Sequence, residues 1–227
     1  MPRPRIPARR DAIVSAARDL ILDQGWPATT VADIAGRAGV GKGAVYLEFP
    51  DKSAILAAVL TASVRRVVVE VRRRVLGAPV TVDLPTVYRF GLEALLGDRL
   101  LCAAYTHDTT ILGEHVKHIA DDRYAQRTSW LDDYVIRLQQ AGVVDPALSA
   151  TAIGRMLAVF SLGLVHAPGT LGTADPDDLA ATVGIFAELL SRGLSAGGST
   201  DPVAAREAQL DLLDALEEQI NELEESQ

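Results

Sequence analysis

The segment from Thr30 to Lys52, TVADIAGRAGVGKGAVYLEFPDK, constrains this chain more than any other part of it. Its pattern predicts two short helices joined by a tight turn. Thr30 can cap the first helix, Asp33 can complete a capping box, and Gly39 supplies the left-handed residue that ends the helix. The second helix, from Lys42 to Glu48, is so short that its neighbours must hold it. Two helices that cross through a glycine-containing turn form a helix-turn-helix, whose second helix lies in the DNA major groove.

The outward face of the second helix argues against the alternative, which is an ordinary helical hairpin inside an all-α enzyme. If Val45 and Phe49 point inward at helical spacing, the remaining positions point outward. One cation, one phenol and three small or apolar groups are poorly suited to a solvated face and well suited to a DNA groove. These outward residues are Lys42, Gly43, Ala44, Tyr46 and Leu47.

The pattern T-V-x-D-I-A-x-x-A-G-V-G-K-G-x-V-Y-x-x-F-x-x-K resembles the N-terminal signature of the TetR family of transcriptional regulators. The resemblance implies that Lys42 and Tyr46, one turn apart on the same face, contact backbone phosphates of double-stranded DNA. It also implies that Lys52 and the helix terminus at Thr30 hold the flanking strand. Gly43 then lies in the same interface, and Ala44 and Leu47 lie nearest the base edges.

Two positions of the second helix have alternative interpretations. An exposed Leu47 would contact a thymine methyl group, whereas a buried one would pack against the long helix that follows. Glu48 departs from the family, which commonly has an aromatic residue there. A carboxylate at this position repels phosphate unless it pairs with Arg37 or Lys52, or accepts a hydrogen bond from a cytosine amino group.

The net charge of −8 does not count against DNA binding once it is located along the chain. Residues 201–227 hold nine acidic side chains and one arginine, so residues 1–200 are formally neutral. The local charge that matters for DNA is basic and lies at the N-terminus. There Arg3 and Arg5, separated by prolines, are predicted to form an extended arm able to enter a minor groove.

Composition indicates a soluble cytoplasmic protein. Apolar residues make up 48% and charged residues 23% of the 227 residues, as is usual for globular proteins. The most apolar run, Met156 to Val165, is about half a membrane span, and no apolar stretch follows the basic N-terminus, so neither a membrane nor a secretory signal is expected. Cys102, the lone cysteine, fits a reducing compartment.

The absence of any alternating strand pattern predicts an all-α fold. One helix follows Pro7 and ends at Gly25, and a long one runs from Lys52 to about Leu76. Further helical segments are expected near 83–97, 100–112, 114–141, 146–166 and 175–194, with a loop from Pro168 to Pro176. We predict three parts: a helix-turn-helix domain with its arm at 1–51, an effector-binding and dimerisation domain at 52–196, and a linker with an acidic helix at 197–227.

The middle of the chain carries aromatic and methionine side chains interleaved with single polar groups. For each residue alone, a plain helical core is the simpler interpretation, but together they describe a small-molecule pocket. The resemblance favours the pocket, because the second domain of that family holds the effector. The predicted pocket residues are Phe90, Leu101, Tyr105, Trp130, Tyr134, Met156 and Phe160.

In the TetR family the last two helices of the second domain pair across a two-fold axis. The corresponding segments here are 146–166 and 175–194, so the resemblance implies a homodimer. The predicted interface residues are Ile153, Leu157, Leu179, Val183, Phe186 and Leu190.

No motif predicts catalysis, a cofactor or a metal site. The chain has no G-x-S-x-G, phosphate loop or G-x-G-x-x-G, which argues against an enzyme. The His-x-x-His pair of His115 and His118, with Glu114, His107 and Asp108 nearby, lacks an identifiable third ligand.

The acidic C-terminal helix has two interpretations. Leu213, Leu216, Ile220 and Leu223 form an apolar seam that either packs back on the chain or binds a partner protein. The main hypothesis is a homodimeric repressor that binds an operator in double-stranded DNA and is released by a small apolar effector. The rival is a DNA-tethered adaptor that recruits a partner through the acidic helix.

Overall fold

The computed structural model describes residues 7–78, 83–105, 108–113, 121–171 and 176–225. The described residues form helices and connecting loops with no strand, which confirms the predicted all-α fold. The helices are α1 (Pro7–Gln24), α2 (Val31–Arg37), α3 (Lys42–Glu48), α4 (Lys52–Gly77), α5 (Leu84–Leu96), α6 (Arg99–Tyr105), α7 (Thr109–Leu112), α8 (Asp121–Gln140), α9 (Ala150–Leu171), α10 (Pro176–Leu194) and α11 (Pro202–Glu225).

The chain forms two compact units whose limits differ from the predicted boundaries. Among described residues, the first unit takes 7–65, the described part of 99–119, and 220–225; the second takes 66–98 and the described part of 120–219. The helices α6 and α7 join the first unit because Leu100, Ala103 and Leu112 are buried in the same core as Trp26 and Phe49. Side chains so far apart in sequence give no local signal of this packing.

The first unit is built on the apolar stripe of α1. Ile13, Ala17 and Ile21 recur at helical spacing and are buried in its core. The helix ends before Gly25, where the predicted glycine has φ of 79°. A Cβ at Gly25 would lie 2.6 Å from the carbonyl oxygen of Thr110, so both the backbone angle and the close approach require glycine.

One predicted helix and one predicted loop were wrong in their limits. The segment 100–112 is divided into α6 and α7, because Asp108 caps α7 and accepts hydrogen bonds from the amides of Thr110 and Ile111. The hydrogen bond from the Thr110 hydroxyl lowers the pKa of Asp108. The predicted loop starting at Pro168 was also wrong, because α9 continues to Leu171.

In the second unit, α9 packs on α8, and α10 packs on α5. The main cluster of this unit includes Tyr134, Leu138, Leu157 and Leu190, which come from α8, α9 and α10. Smaller clusters lie around Val75 and Leu213, and around Leu92, Leu164 and Val183.

The acidic helix α11 packs against its own chain. Within the second unit Leu213 is buried beside Val71, Val75 and Val87, and Ala205 and Ala208 join the main cluster. Ion pairs tie its acidic face to two other helices: Arg72 to Asp214 at 2.6 Å and Glu217 at 3.4 Å, and Arg137 to Asp211 at 2.5 Å. Leu213 and Ile220 of the predicted seam are therefore covered by the chain itself; the Leu223 side chain lies outside the described part.

Candidate nucleic-acid interface

The helix α2 begins with the predicted capping box. The backbone amide and the hydroxyl of Thr30 donate to the Asp33 carboxylate at 3.0 and 2.7 Å, and the Asp33 amide donates to the Thr30 hydroxyl at 3.1 Å. The two hydrogen bonds that Thr30 donates to this carboxylate, led by that from its hydroxyl, lower the pKa of Asp33. Gly39 then adopts φ of 67° and lets the chain turn into α3, as predicted. The exposed Thr30 marks the start of α2 at the surface.

The outward face of α3 lies on the surface as its spacing predicts. Val45 and Phe49 are 0% and 1% exposed and fix the helix in the first core. Tyr46 is 49% and Leu47 is 77% exposed, so the alternative in which Leu47 packs against α4 was wrong. On the same face Lys42 and Gly43 are exposed and Ala44 is half-buried.

The carboxylate of Glu48 pairs with Arg9, which corrects both partners expected from the sequence. Arg9 of α1 donates through Nε at 2.8 Å and also through Nη2 to the same oxygen, and both side chains are largely buried. Arg10 donates to the Glu48 carbonyl at 3.1 Å and lies 4.4 Å from the centre of the Phe49 ring. Arg37 pairs instead with Asp23 at 3.4 Å. In the sequence, this contact was indicated only by the two adjacent basic residues at the start of α1, Arg9 and Arg10.

Lys52, which is expected to contact phosphate, makes two contacts with Trp26. Its ammonium group donates to the Trp26 carbonyl at 2.9 Å and lies 4.2 Å from the centre of the Trp26 ring. Partial burial lowers the pKa of Lys52. Its charge is thus engaged within the first unit, where it connects the start of α4 to the loop after α1. The arm residues Arg3 and Arg5 lie outside the described residues.

The residues predicted to form one ligand pocket are dispersed. Phe90, Tyr134 and Phe160 belong to three different apolar clusters, and Tyr134 is only 2% exposed within its core. Leu101 is buried in a helix of the first unit, and Met156 is at the surface. The Tyr105 and Trp130 side chains lie outside the described part. The simpler interpretation, a helical core, holds for Tyr134 and Leu101.

The Tyr88 hydroxyl is a neutral, hydrogen-bonded group inside the second unit. The Tyr88 hydroxyl donates to the Leu157 carbonyl at 2.5 Å and lies 2.5 Å from the Ser161 hydroxyl. Burial raises the pKa of Tyr88 to about 12. Phe160 stacks on Phe186 with ring centres 3.6 Å apart. This layer of α5, α9 and α10 is thus apolar and uncharged at neutral pH.

Four of the six predicted dimer residues lie in the core of their own chain. Ile153, Leu157, Val183 and Leu190 are at most 5% exposed in the core of their own chain, so they are not available to a partner subunit. Leu179 and Phe186 are half-buried. The exposed apolar side chains of α9 and α10 are Met156, Val159, Leu162, Ile185 and Leu189. An open concavity of about 530 Å³ lies on this face, lined by Ala152, Arg155, Met156, Val159, Phe160 and Phe186.

The exposed apolar face also explains why α9 resembles a membrane span. Its window Ala150–Ala167 has a mean hydropathy of 1.5, and 33% of it is buried inside the protein. A single helix of this kind is weak evidence for a membrane. Among the described residues no group of His, Cys, Asp and Glu could hold a metal ion; His107, Glu114, His115 and His118 lie outside them.

Comparison with known proteins places the helix-turn-helix in a family. Residues 13–59 match the family model of bacterial regulatory proteins, tetR family. An uncharacterized HTH-type transcriptional regulator, YdeS of Bacillus subtilis, is 44% identical over 54 residues, which are 24% of this chain and 27% of that protein. A similar regulator of Mycobacterium tuberculosis is 41% identical over 59 residues, 26% of this chain and 31% of that protein. The matches thus span less than a third of these relatives, which are named as regulators and not as enzymes.

Solved structures share the fold over most of the chain. A putative TetR-family regulator from Syntrophomonas wolfei has a TM-score of 0.63 at 18% identity, covering 85% of this chain and 99% of that one. The fatty acid degradation regulator FadR from Bacillus halodurans has a TM-score of 0.60 at 20% identity, covering 86% and 98%. The FadR of Bacillus subtilis, solved in complex with stearoyl-CoA, has a TM-score of 0.59 at 19% identity, covering 81% and 98%. At these identities the likeness concerns the fold alone.

Proposed function

We propose that this chain, which belongs to the TetR family of bacterial regulatory proteins through residues 13–59, is a ligand-responsive transcriptional repressor that binds a specific operator. The observation that carries the proposal is the outward face of α3. This short helix is anchored by two buried side chains and exposes a cation, a phenol and an apolar side chain together.

The proposed contacts follow from the positions of these side chains. Lys42 and Tyr46 are one turn apart and contact backbone phosphates, while Gly43, Ala44 and Leu47 face the base edges. The start of α2 at Thr30 lies against a flanking phosphate, and the Arg3 and Arg5 arm enters the minor groove. Lys52 has a smaller part, because its ammonium group is already bound to Trp26.

We also propose a homodimer that pairs through α9 and α10. A helix-turn-helix dimer places two recognition helices on half-sites about one DNA turn apart. The exposed side chains Val159, Ile185 and Leu189, each more than 60% exposed, form an apolar face that a second copy would cover. This exposed face takes the place, as the proposed dimer interface, of the buried residues that the sequence predicted.

The proposed effector is a small, largely apolar molecule held in the second unit. Apolar clusters and the neutral Tyr88 hydroxyl favour such a ligand over a polyanion or a sugar. The stearoyl-CoA complex of a protein with this fold supports the choice of acyl compounds as the first class to test. We propose that residues 1–51 bind DNA and that residues 52–196 bind the effector and form the dimer. We also propose that the protein acts in the cytoplasm.

The proposed mechanism is a two-state equilibrium. The effector binds the dimer conformation whose recognition helices do not match the half-site spacing, and operator DNA binds the other conformation. Effector and operator must then weaken each other by the same factor.

The test of DNA binding is the double variant Lys42→Ala with Tyr46→Ala. Its operator affinity should be lost in a gel shift, while the melting temperature stays near that of the wild type, because both side chains are exposed. The matched control is Arg73→Ala with Leu76→Ala, which removes an exposed cation and an exposed large side chain from α4. Unchanged operator binding by the α3 variant would refute α3 as the recognition helix.

The effector proposal is tested by linkage. Hydrophobic acids, acyl thioesters and aromatic drugs are screened for a rise in melting temperature, which any ligand of the native dimer must cause. For each hit, the loss of operator affinity with effector and the loss of effector affinity with operator should be equal. A compound that stabilises the dimer and leaves operator affinity unchanged would contradict the switching mechanism.

A further inference from the structure

We infer that Leu47 recognises the methyl group of a thymine in each operator half-site, an inference that rests on the proposed DNA binding by α3. At 77% exposure Leu47 is the most exposed large apolar side chain among the described residues. Val45 and Phe49 already anchor α3, so the fold gains little from a leucine at this position. On a recognition helix, an exposed apolar side chain is best matched by an apolar group on the DNA.

The neighbouring positions leave Leu47 room to reach the base edges. Gly43 lies one turn before Leu47 on the same face, and a Cβ built there meets no atom within 4 Å. The helix therefore has no side chain at 43 to hold the groove away, while Leu47 projects from the following turn. Ala44, the other residue of this stripe, is half-buried and reaches less far.

The residues assigned to the base edges, and Glu48 beside them, offer no free hydrogen-bonding side chain. Glu48 would be the acceptor for a cytosine amino group, but its carboxylate binds Arg9 and is 15% exposed. Gly43, Ala44 and Leu47 have no hydrogen-bonding side chain. Of the groups that base pairs present in the major groove, the C5-methyl of thymine is the apolar one. The side chains of this stripe thus match A·T pairs by contact with that methyl group.

The test is a double-mutant cycle in which the leucine side chain and the thymine methyl group are removed separately and together, and DNA affinity is measured. The full-length protein first selects a high-affinity duplex from a random DNA pool. Each thymine of one half-site is then replaced in turn by deoxyuridine, which lacks only the methyl group. Affinities are measured for the wild type, for Leu47→Ala, and for the control Leu76→Ala, an exposed leucine of α4.

The wild type and Leu76→Ala should lose about fourfold in affinity at one thymine of the half-site, as expected for one methyl group returned to water. Leu47→Ala should bind the thymine and deoxyuridine duplexes equally well, with an unchanged melting temperature. A wild type that binds the selected duplex but never distinguishes thymine from deoxyuridine would overturn the inference. So would a Leu47→Ala variant that still distinguishes them. Failure to select any duplex would instead refute the proposed function.

Discussion

At the scale of single residues, the contact between Arg9 and Glu48 fixes the end of α3, the proposed recognition helix. The two residues are 39 positions apart, yet the guanidinium of α1 binds the carboxylate at the end of α3 through two nitrogens. Their side chains are only 16% and 15% exposed. The pair removes an acidic group from the proposed DNA surface and holds the last turn of α3 against α1.

A double-mutant cycle measures this contact. Arg9→Gln and Glu48→Gln should each lower the free energy of unfolding by about 1–2 kcal/mol, because each leaves a partly buried charge without its partner. The double variant should lose little more than either single variant, and urea denaturation measures all four proteins. Additive losses would show that the two side chains do not stabilise each other.

At the scale of elements, α11 packs against other helices of its own chain through buried apolar side chains. Ala205, Ala208 and Leu213 lie in clusters of the second unit, and Arg206 donates to the Val75 carbonyl at 2.8 Å. Most of its ion pairs are exposed and contribute little, so its attachment depends mainly on the buried apolar side chains. An adaptor that binds a partner through this seam would first have to detach the helix.

Truncating Leu213 tests that attachment. Leu213→Ala should lower the free energy of unfolding by about 2–4 kcal/mol, since the side chain is fully buried against α4 and α5. The matched control is Val203→Ala at the start of the same helix, where 66% exposure predicts a change within about 0.5 kcal/mol. Similar effects of the two variants in urea denaturation would contradict the packing of α11.

At the scale of the whole molecule, the proposed homodimer depends on an apolar face that the single chain leaves uncovered. Val159 of α9 and Ile185 of α10 are 64% and 66% exposed on helices whose other faces are buried. A second copy that covers this face would bury it and would also supply the second recognition helix of a two-fold operator.

Charges placed on this face should separate the subunits. Val159→Asp with Ile185→Asp should be monomeric in sedimentation equilibrium with an unchanged helical circular dichroism spectrum, because two carboxylates would be desolvated in the interface. Operator affinity should fall, since the half-sites are then bound independently. The control Val69→Asp changes an equally apolar residue of α4 that is 52% exposed and should remain dimeric. A dimeric double variant would exclude α9 and α10 as the interface.

The sequence by itself determined what depends on neighbours along the chain. The capping box of Thr30 and Asp33, the left-handed Gly39 and the inward Val45 and Phe49 all follow from spacings of a few residues, and the structure confirms each one. The all-α fold and the helix-turn-helix family follow from the same local patterns.

Only the tertiary structure decided which side chains meet across long separations and which face of a helix is covered. Helical periodicity identifies two apolar faces on α9 and cannot say that Leu157 is buried while Val159 is exposed. It likewise gives no partner for Glu48, because Arg9 reaches it from another helix. Local patterns report the interactions of residues within one or two turns, whereas burial and pairing depend on how distant elements pack, and that packing has no short-range signature in the sequence.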